Sequence, residues 1–201
     1  MDALPDTRQM LLHYLHDARE SLLWKVDGLS ERALRMPRTS TGTNLLGLIK
    51  HAASIESGYF GEVFDRPWPT PEEMPWEDRL DEDPNADFYA LPDEPAAQIL
   101  DLYRRVAEFA DATITDLPLD APGRVPWWGE RGDVTLQRII VHVIFDLSRH
   151  AGHADILREE IDGAVGLVPR ATNIPDIDQD AYVAKLRAIA QQFPADDRTT
   201  A

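Results

Sequence analysis

Cysteine is absent from the 201-residue chain, which excludes disulfides, thiolate metal sites and a catalytic thiol carried by the protein itself. Basic residues are scarce, 20 against 36 acids, for a formal net charge of −16. Such a field repels phosphate backbones, and no Lys/Arg cluster offers a local exception, so nucleic acid is excluded as a partner. Long hydrophobic runs are lacking too. Ile139-Ile140-Val141 and Val143-Ile144-Phe145 are each broken by polar residues within a few positions, and nothing has the length of a membrane span. The stretch Met1 to Asp6 carries acids where a signal peptide has bases, and it has no apolar centre. Together with the missing cysteines this predicts a cytoplasmic protein. No segment shows the two-residue alternation of a strand.

What the chain does have is helical periodicity, with apolar residues at 43% and charged residues at 28% of the composition. These values are those of a folded globular chain, and the length suits one domain, here residues 1–201. Five segments repeat apolar residues at three- and four-residue steps. The first runs from Thr7 to Gly28 through Leu11, Leu15, Ala18 and Leu22, with Asp6 and Gln9 placed as a capping box. The second follows Thr43 and runs to Phe64 through Leu45, Leu48, Ala52, Ile55, Tyr59 and Val63. The third, with Glu94 as N-cap and Pro95 at the first helical position, carries Ile99, Leu102, Val106, Phe109 and Thr113. Thr135 caps the fourth, which carries Leu136, Ile139, Val143, Leu147, Ala151, Ala154 and Leu157 and ends before Gly163. A short fifth helix covers Gln179 to Phe193, and residues 194–201 read as a flexible polar tail. The expectation is an all-α four-helix bundle with a short C-terminal helix. Residues 65–93, rich in Pro and acids and bearing Trp68 and Trp76, are too long for an ordinary connection and are expected to strap across one end of the bundle.

Three of the six histidines crowd the fourth helix: His142, His150 and His153, with Asp146 among them. With His142 at zero on the helical wheel, His153 falls near about 20°, Asp146 near about 40° and His150 near about 80°, against an apolar stripe centred near about 100°. Asp146 and His150 therefore turn inward, while His142 and His153 sit at the edge. A buried carboxylate must be paired or bound to metal, and its i, i+4 spacing to His150 lets both groups grip one cation. A simple Asp–His hydrogen bond satisfies the same pattern. On the second helix His51 lies on the buried side beside Ala52 and supplies a third ligand from a facing helix. Three protein ligands leave positions open for water or substrate, as catalytic sites do. His13 and His16 read as surface residues, and Glu56, about 140° from His51, falls off the ligand face.

The run Leu45-Leu46-Gly47-Leu48-Ile49-Lys50-His51, Glu56 after it, and the stretch from His142 through His150-Ala151-Gly152-His153 to Arg158-Glu159 resemble the DinB-like superfamily. More closely, they are similar to its branch of actinobacterial mycothiol-dependent transferases and their uncharacterised relatives. The resemblance implies a four-helix bundle and a divalent metal held by His51, Asp146 and His150, where Asp146 replaces the histidine of most members. Two histidines and a carboxylate suit zinc first, and also nickel, iron or manganese. The activity implied is an S-transferase in which the metal activates a small-molecule thiol, mycothiol, for attack on an electrophile, with the sulfur arriving on the cofactor. His153, or in second place His142, relays the thiol's proton. The alternatives are a thiol-dependent isomerase related to maleylpyruvate isomerase and a non-enzymatic metal-binding stress-response bundle. A homodimer is allowed by this reading, and neither nucleic acid nor a membrane is a partner.

Overall fold

The computed structural model describes residues 6–168 and 170–194. The sequence readings at residues 1–5 and along the tail beyond Pro194 lie outside the described residues. Four long helices form the bundle: α1 (Thr7–Trp24), α3 (Leu45–Phe60), α4 (Ala96–Asp116) and α5 (Leu136–Asp162). Short α2 (Glu31–Arg35) and C-terminal α6 (Gln179–Ala190) complete the helices. The fold is all-α, as the periodicity predicts.

The caps are those a sequence can announce. Asp6 and Gln9 make the reciprocal capping box of α1, and the Thr135 side chain accepts from the Arg138 amide at the start of α5. At α4 the expectation shifts by one residue. Pro95 is itself the N-cap, and the Glu94 carboxylate instead accepts from the Leu91 amide and from Lys50 Nζ, each within 2.8 Å.

Boundaries differ where backbone packing intervenes. α1 ends at Trp24 and its chain continues as turns to Gly28, whose φ of +72° suits glycine. α3 stops at Phe60 because Gly61 leaves the helical region, and a separate 3₁₀ turn, Glu62–Phe64, follows. A Cβ on Gly61 would lie 2.2 Å from the Ser57 carbonyl oxygen, so no other residue fits there without displacing the backbone. Two elements escaped the periodicity. α2 is five residues long and is announced by its Ser30 N-cap. A two-stranded antiparallel ribbon pairs β1 (Pro122–Arg124) with β2 (Asp133–Thr135); three residues a strand are too few for alternation to register.

α3 lies at the centre, packed on both α4 and α5, while α1 packs on α5. It is buried nearly all round: Leu45, Leu46, Leu48, Ile49, Ala52, Ala53 and Phe60 are each 0–1% exposed. Two charged side chains on it are also buried. Lys50 pairs with Glu94 at 2.8 Å. Glu56 receives Arg19 Nε from α1 and the Tyr103 hydroxyl from α4 at 3.0 Å each, while Arg19 Nη1 reaches Asp111 at 2.7 Å. Residues 65–93 close over the bundle, burying Met74, Trp76 and Ala86 in the core. Their acids Glu72, Glu77, Asp78, Asp81 and Glu82 face water, whereas Glu73 is held by Arg105 and Asp83 by Tyr89. α6 makes a contrast, because every one of its residues is exposed, including Tyr182, Leu186 and Ile189 of its apolar stripe. Among the described residues no helix is long and apolar enough to cross a membrane.

Candidate metal centre

His51 sits mid-way along α3, and the chain holds its ring on two sides. Asp87, from the strap, takes Nδ1 at 2.6 Å, and Phe88 stacks on the ring with centroids 4.1 Å apart. Nδ1 is thereby committed, and Nε2 is left to face α5. There it stands 3.7 Å from Asp146 Oδ2, while His150 Nε2 stands 3.7 Å from Asp146 Oδ1. One donor atom from each of His51, Asp146 and His150 falls within 4.8 Å of the others. The three positions expected from the sequence therefore meet.

Contacts of 3.7 Å are too long to be hydrogen bonds. Asp146 has no hydrogen bond among the described residues, and His150 Nδ1 is buried without a partner. A half-buried carboxylate flanked by imidazole nitrogens and satisfied by none of them is a donor set that fits a divalent cation. The electrostatics follow from the same geometry. Burial works against charge on His51, but Asp146 and Asp87 outweigh it and raise its pKa to about 8. Burial and the neighbouring His51 charge push His150 down to about 4. Asp146 stays below the usual carboxylate range because the histidines overcome its desolvation.

A cleft of about 940 Å³ opens onto this group, with His51, Asp146, Asp87 and His142 in its wall. Trp68, Pro71 and Met74 of the strap and Trp127 of the turn before β2 line its other side. Two other clefts, of about 730 and 770 Å³, lie elsewhere on the bundle, so volume does not select the site; the converging donors do. His142 Nε2 is 3.1 Å from the Tyr59 hydroxyl, and that hydroxyl accepts from Trp127 Nε1 at 3.3 Å. Burial lowers the His142 pKa below its ordinary value, ahead of the opposing pull of Asp146. His153 is exposed and stands edge-on to His150 at 5.6 Å, outside the cleft wall. His13 and His16 are exposed, the latter bonded to Asp111 at 2.7 Å. Glu56 points away into its Arg19 pair.

Sequence reasoning missed Asp87 and Phe88, because a loop has no period from which to infer a direction. It read Tyr59 only as core. Across the chain, the family model for mycothiol-S-transferase matches residues 10–163. The chain belongs to the mycothiol-S-transferase family. The matched span takes in α3, α4 and α5 whole, α1 from its fourth residue onward, and every residue of the candidate centre. A search of curated proteins finds none that matches. Among solved structures, a conserved protein from Enterococcus faecalis superposes with a TM-score of 0.61 at 14% identity, over 80% of this chain and 100% of the other. At that identity the likeness speaks for the fold alone.

Proposed function

We propose that this mycothiol-S-transferase family member is a divalent-metal-dependent enzyme, zinc being the first choice, that transfers the sulfur of mycothiol to a small electrophile. The observation carrying this reading is the convergence of the His51, Asp146 and His150 donors, unshared by hydrogen bonds, beside a cleft of about 940 Å³ whose wall includes His51 and Asp146. A cation held there supplies positive charge beside the incoming sulfur and so favours thiolate at neutral pH.

The remaining work falls to the chain's own side chains. Asp87 and Phe88 fix the His51 ring and leave Nε2 facing the centre. Tyr59 and His142 form the proton path in this reading: the hydroxyl passes its proton to His142 Nε2 as it takes up the thiol's. His142 suits this better than His153, since it lines the cleft and burial keeps it neutral. The sulfur then forms its bond to the electrophilic carbon while the leaving group departs with the bonding pair. Trp68, Met74 and Trp127 offer that electrophile an apolar wall, and the exposed carboxylates of Glu72, Glu77 and Asp78 at the same cleft disfavour an anionic one.

The test joins metal analysis with conjugation. The purified protein should hold close to one divalent ion and conjugate mycothiol to a neutral haloalkyl electrophile. Asp146→Ala should lose both properties, because two histidines alone hold a divalent ion weakly, while Asp146→His should keep the metal. Undiminished metal binding in Asp146→Ala would remove Asp146 from the ligand set.

A further inference from the structure

The outer face of α5 carries a second pattern that neither the core nor the candidate centre uses. Arg138, Val141, Phe145, Ser148, Gly152, Ile156 and Glu159 follow one another at steps of three and four residues, and all are exposed. Val141, Phe145 and Ile156 are large apolar side chains exposed by 51%, 60% and 58%. Such spacing is the seam along which one helix packs lengthwise on another.

The order of residues along this seam is specific. Turned end over end about the midpoint between Ser148 and Arg149, the stripe falls on itself with complementary partners. Phe145 comes opposite Gly152, Val141 opposite Ile156, and Arg138 opposite Glu159. Space is available for the largest of these, since a Cβ built on Gly152 meets nothing within 4 Å. Within its own chain the exposed Phe145 ring has the Arg149 guanidinium, 5.7 Å from its centroid. Arg138 and Glu159, near opposite ends of the helix, carry opposite charges that pair only when the helix meets an antiparallel copy of itself. A two-fold interface requires this kind of self-complementarity.

We infer that α5 is the dimerisation helix of this protein: a second copy of the chain packs antiparallel on the α5 seam, Phe145 of each copy seated over Gly152 of the other, with an Arg138–Glu159 pair at each end. The seam adjoins the candidate centre, because Asp146 and His150 each follow a residue of this outer face, Phe145 and Arg149. The exposed apolar stripe of α6, Tyr182, Leu186 and Ile189, continued by Phe193, also falls on itself end over end but brings no opposite charges together at its ends among the described residues, and it serves as the rival surface in the test.

The experiment is sedimentation velocity on the full-length chain over a micromolar concentration series. The parent should be a dimer. Arg138→Glu and Glu159→Arg should each weaken it by on the order of tenfold, through like charges brought face to face. The double variant Arg138→Glu/Glu159→Arg should restore parental affinity, because both pairs re-form with signs exchanged. Gly152→Leu, which fills the space for Phe145, should leave a folded monomer. The absence of native cysteine allows a second readout. Ser148→Cys, next to the two-fold axis, should crosslink under mild oxidation, whereas Thr41→Cys on an exposed turn should not. A monomeric parent, a charge-exchanged double variant no tighter than the single ones, or equal crosslinking at both positions would overturn the proposal. A dimer insensitive to these changes but dissociated by Leu186→Glu/Ile189→Glu would move the interface to α6 and overturn it equally.

Discussion

At the scale of the residue, the candidate centre depends on one bond that comes from outside the bundle. Asp87 holds His51 Nδ1 at 2.6 Å, so in the proposed centre it orients the ring and raises its basicity while His51 Nε2 faces the ion. Asp87→Asn keeps the shape and removes the charge; metal affinity should fall by about 10–100-fold, read by competition with a chromophoric chelator, while the fold stays intact. Unchanged affinity would make Asp87 a bystander. The same carboxylate, with Asp146, sets the pH response. A ligand histidine must be neutral, yet His51 holds its proton up to about pH 8, whereas His150 is already neutral above about 4. Between these limits each ion bound must displace one proton from His51. Affinity should therefore fall roughly tenfold per unit as pH drops below about 8, and level off above it. Calorimetry in buffers of different ionisation enthalpy counts the released proton directly. No proton release at pH 7 would mean that His51 is not a ligand.

At the scale of the element, the two tryptophans of the strap sit in different settings, one in the core and one at the cleft. Trp76 is 2% exposed, bonds Ser54 Oγ at 2.8 Å through its indole N–H, and covers Lys50 Nζ at 4.3 Å. Trp68 packs edge-on against Phe109 and lines the cleft. Trp76→Ala should cost about 3–5 kcal/mol of stability, seen as a lower midpoint in chemical unfolding. Trp68→Ala should leave metal content unchanged and raise KM for the electrophile more than it lowers kcat. Equal effects of the two substitutions on KM would make the strap a brace without a part in substrate choice. The length and proline content of residues 65–93 announced a strap, because proline lowers the entropy lost on ordering it. They did not announce that its far end reaches His51.

At the scale of the molecule, the buried cluster of Arg19, Glu56, Tyr103 and Asp111 joins α1, α3 and α4. Burial alone disfavours charge on Arg19, but Glu56 outweighs it and holds the guanidinium firmly protonated. Tyr103, wholly buried beside the Glu56 carboxylate, is raised well above its ordinary range. Glu56→Ala strands an unpaired guanidinium in the core and should cost about 3–5 kcal/mol, measured by denaturant titration of the metal-free protein. An isosteric apolar replacement of the whole cluster should cost far less, which would separate the penalty of a stranded charge from the worth of the pair.

What this sequence determined by itself is local. Three- and four-residue steps fix which segments are helical, because one turn of helix is a property of neighbouring residues. The capping groups Asp6 and Thr135 mark two starts for the same reason, and Asp146 and His150 share a helical face whatever surrounds them. What only the tertiary structure decided lies between elements. His51 meets that face because α3 packs on α5, and Asp87 reaches His51 because a 3₁₀-rich strap with no period of its own folds back over α3. The stripe of α3 suggested one buried side, but packing on two helices buried nearly all of it, Glu56 and Lys50 included. The equally regular stripe of α6 was left in water. Periodicity encodes that a helix has an apolar face; it carries no information about which surface, if any, that face will meet.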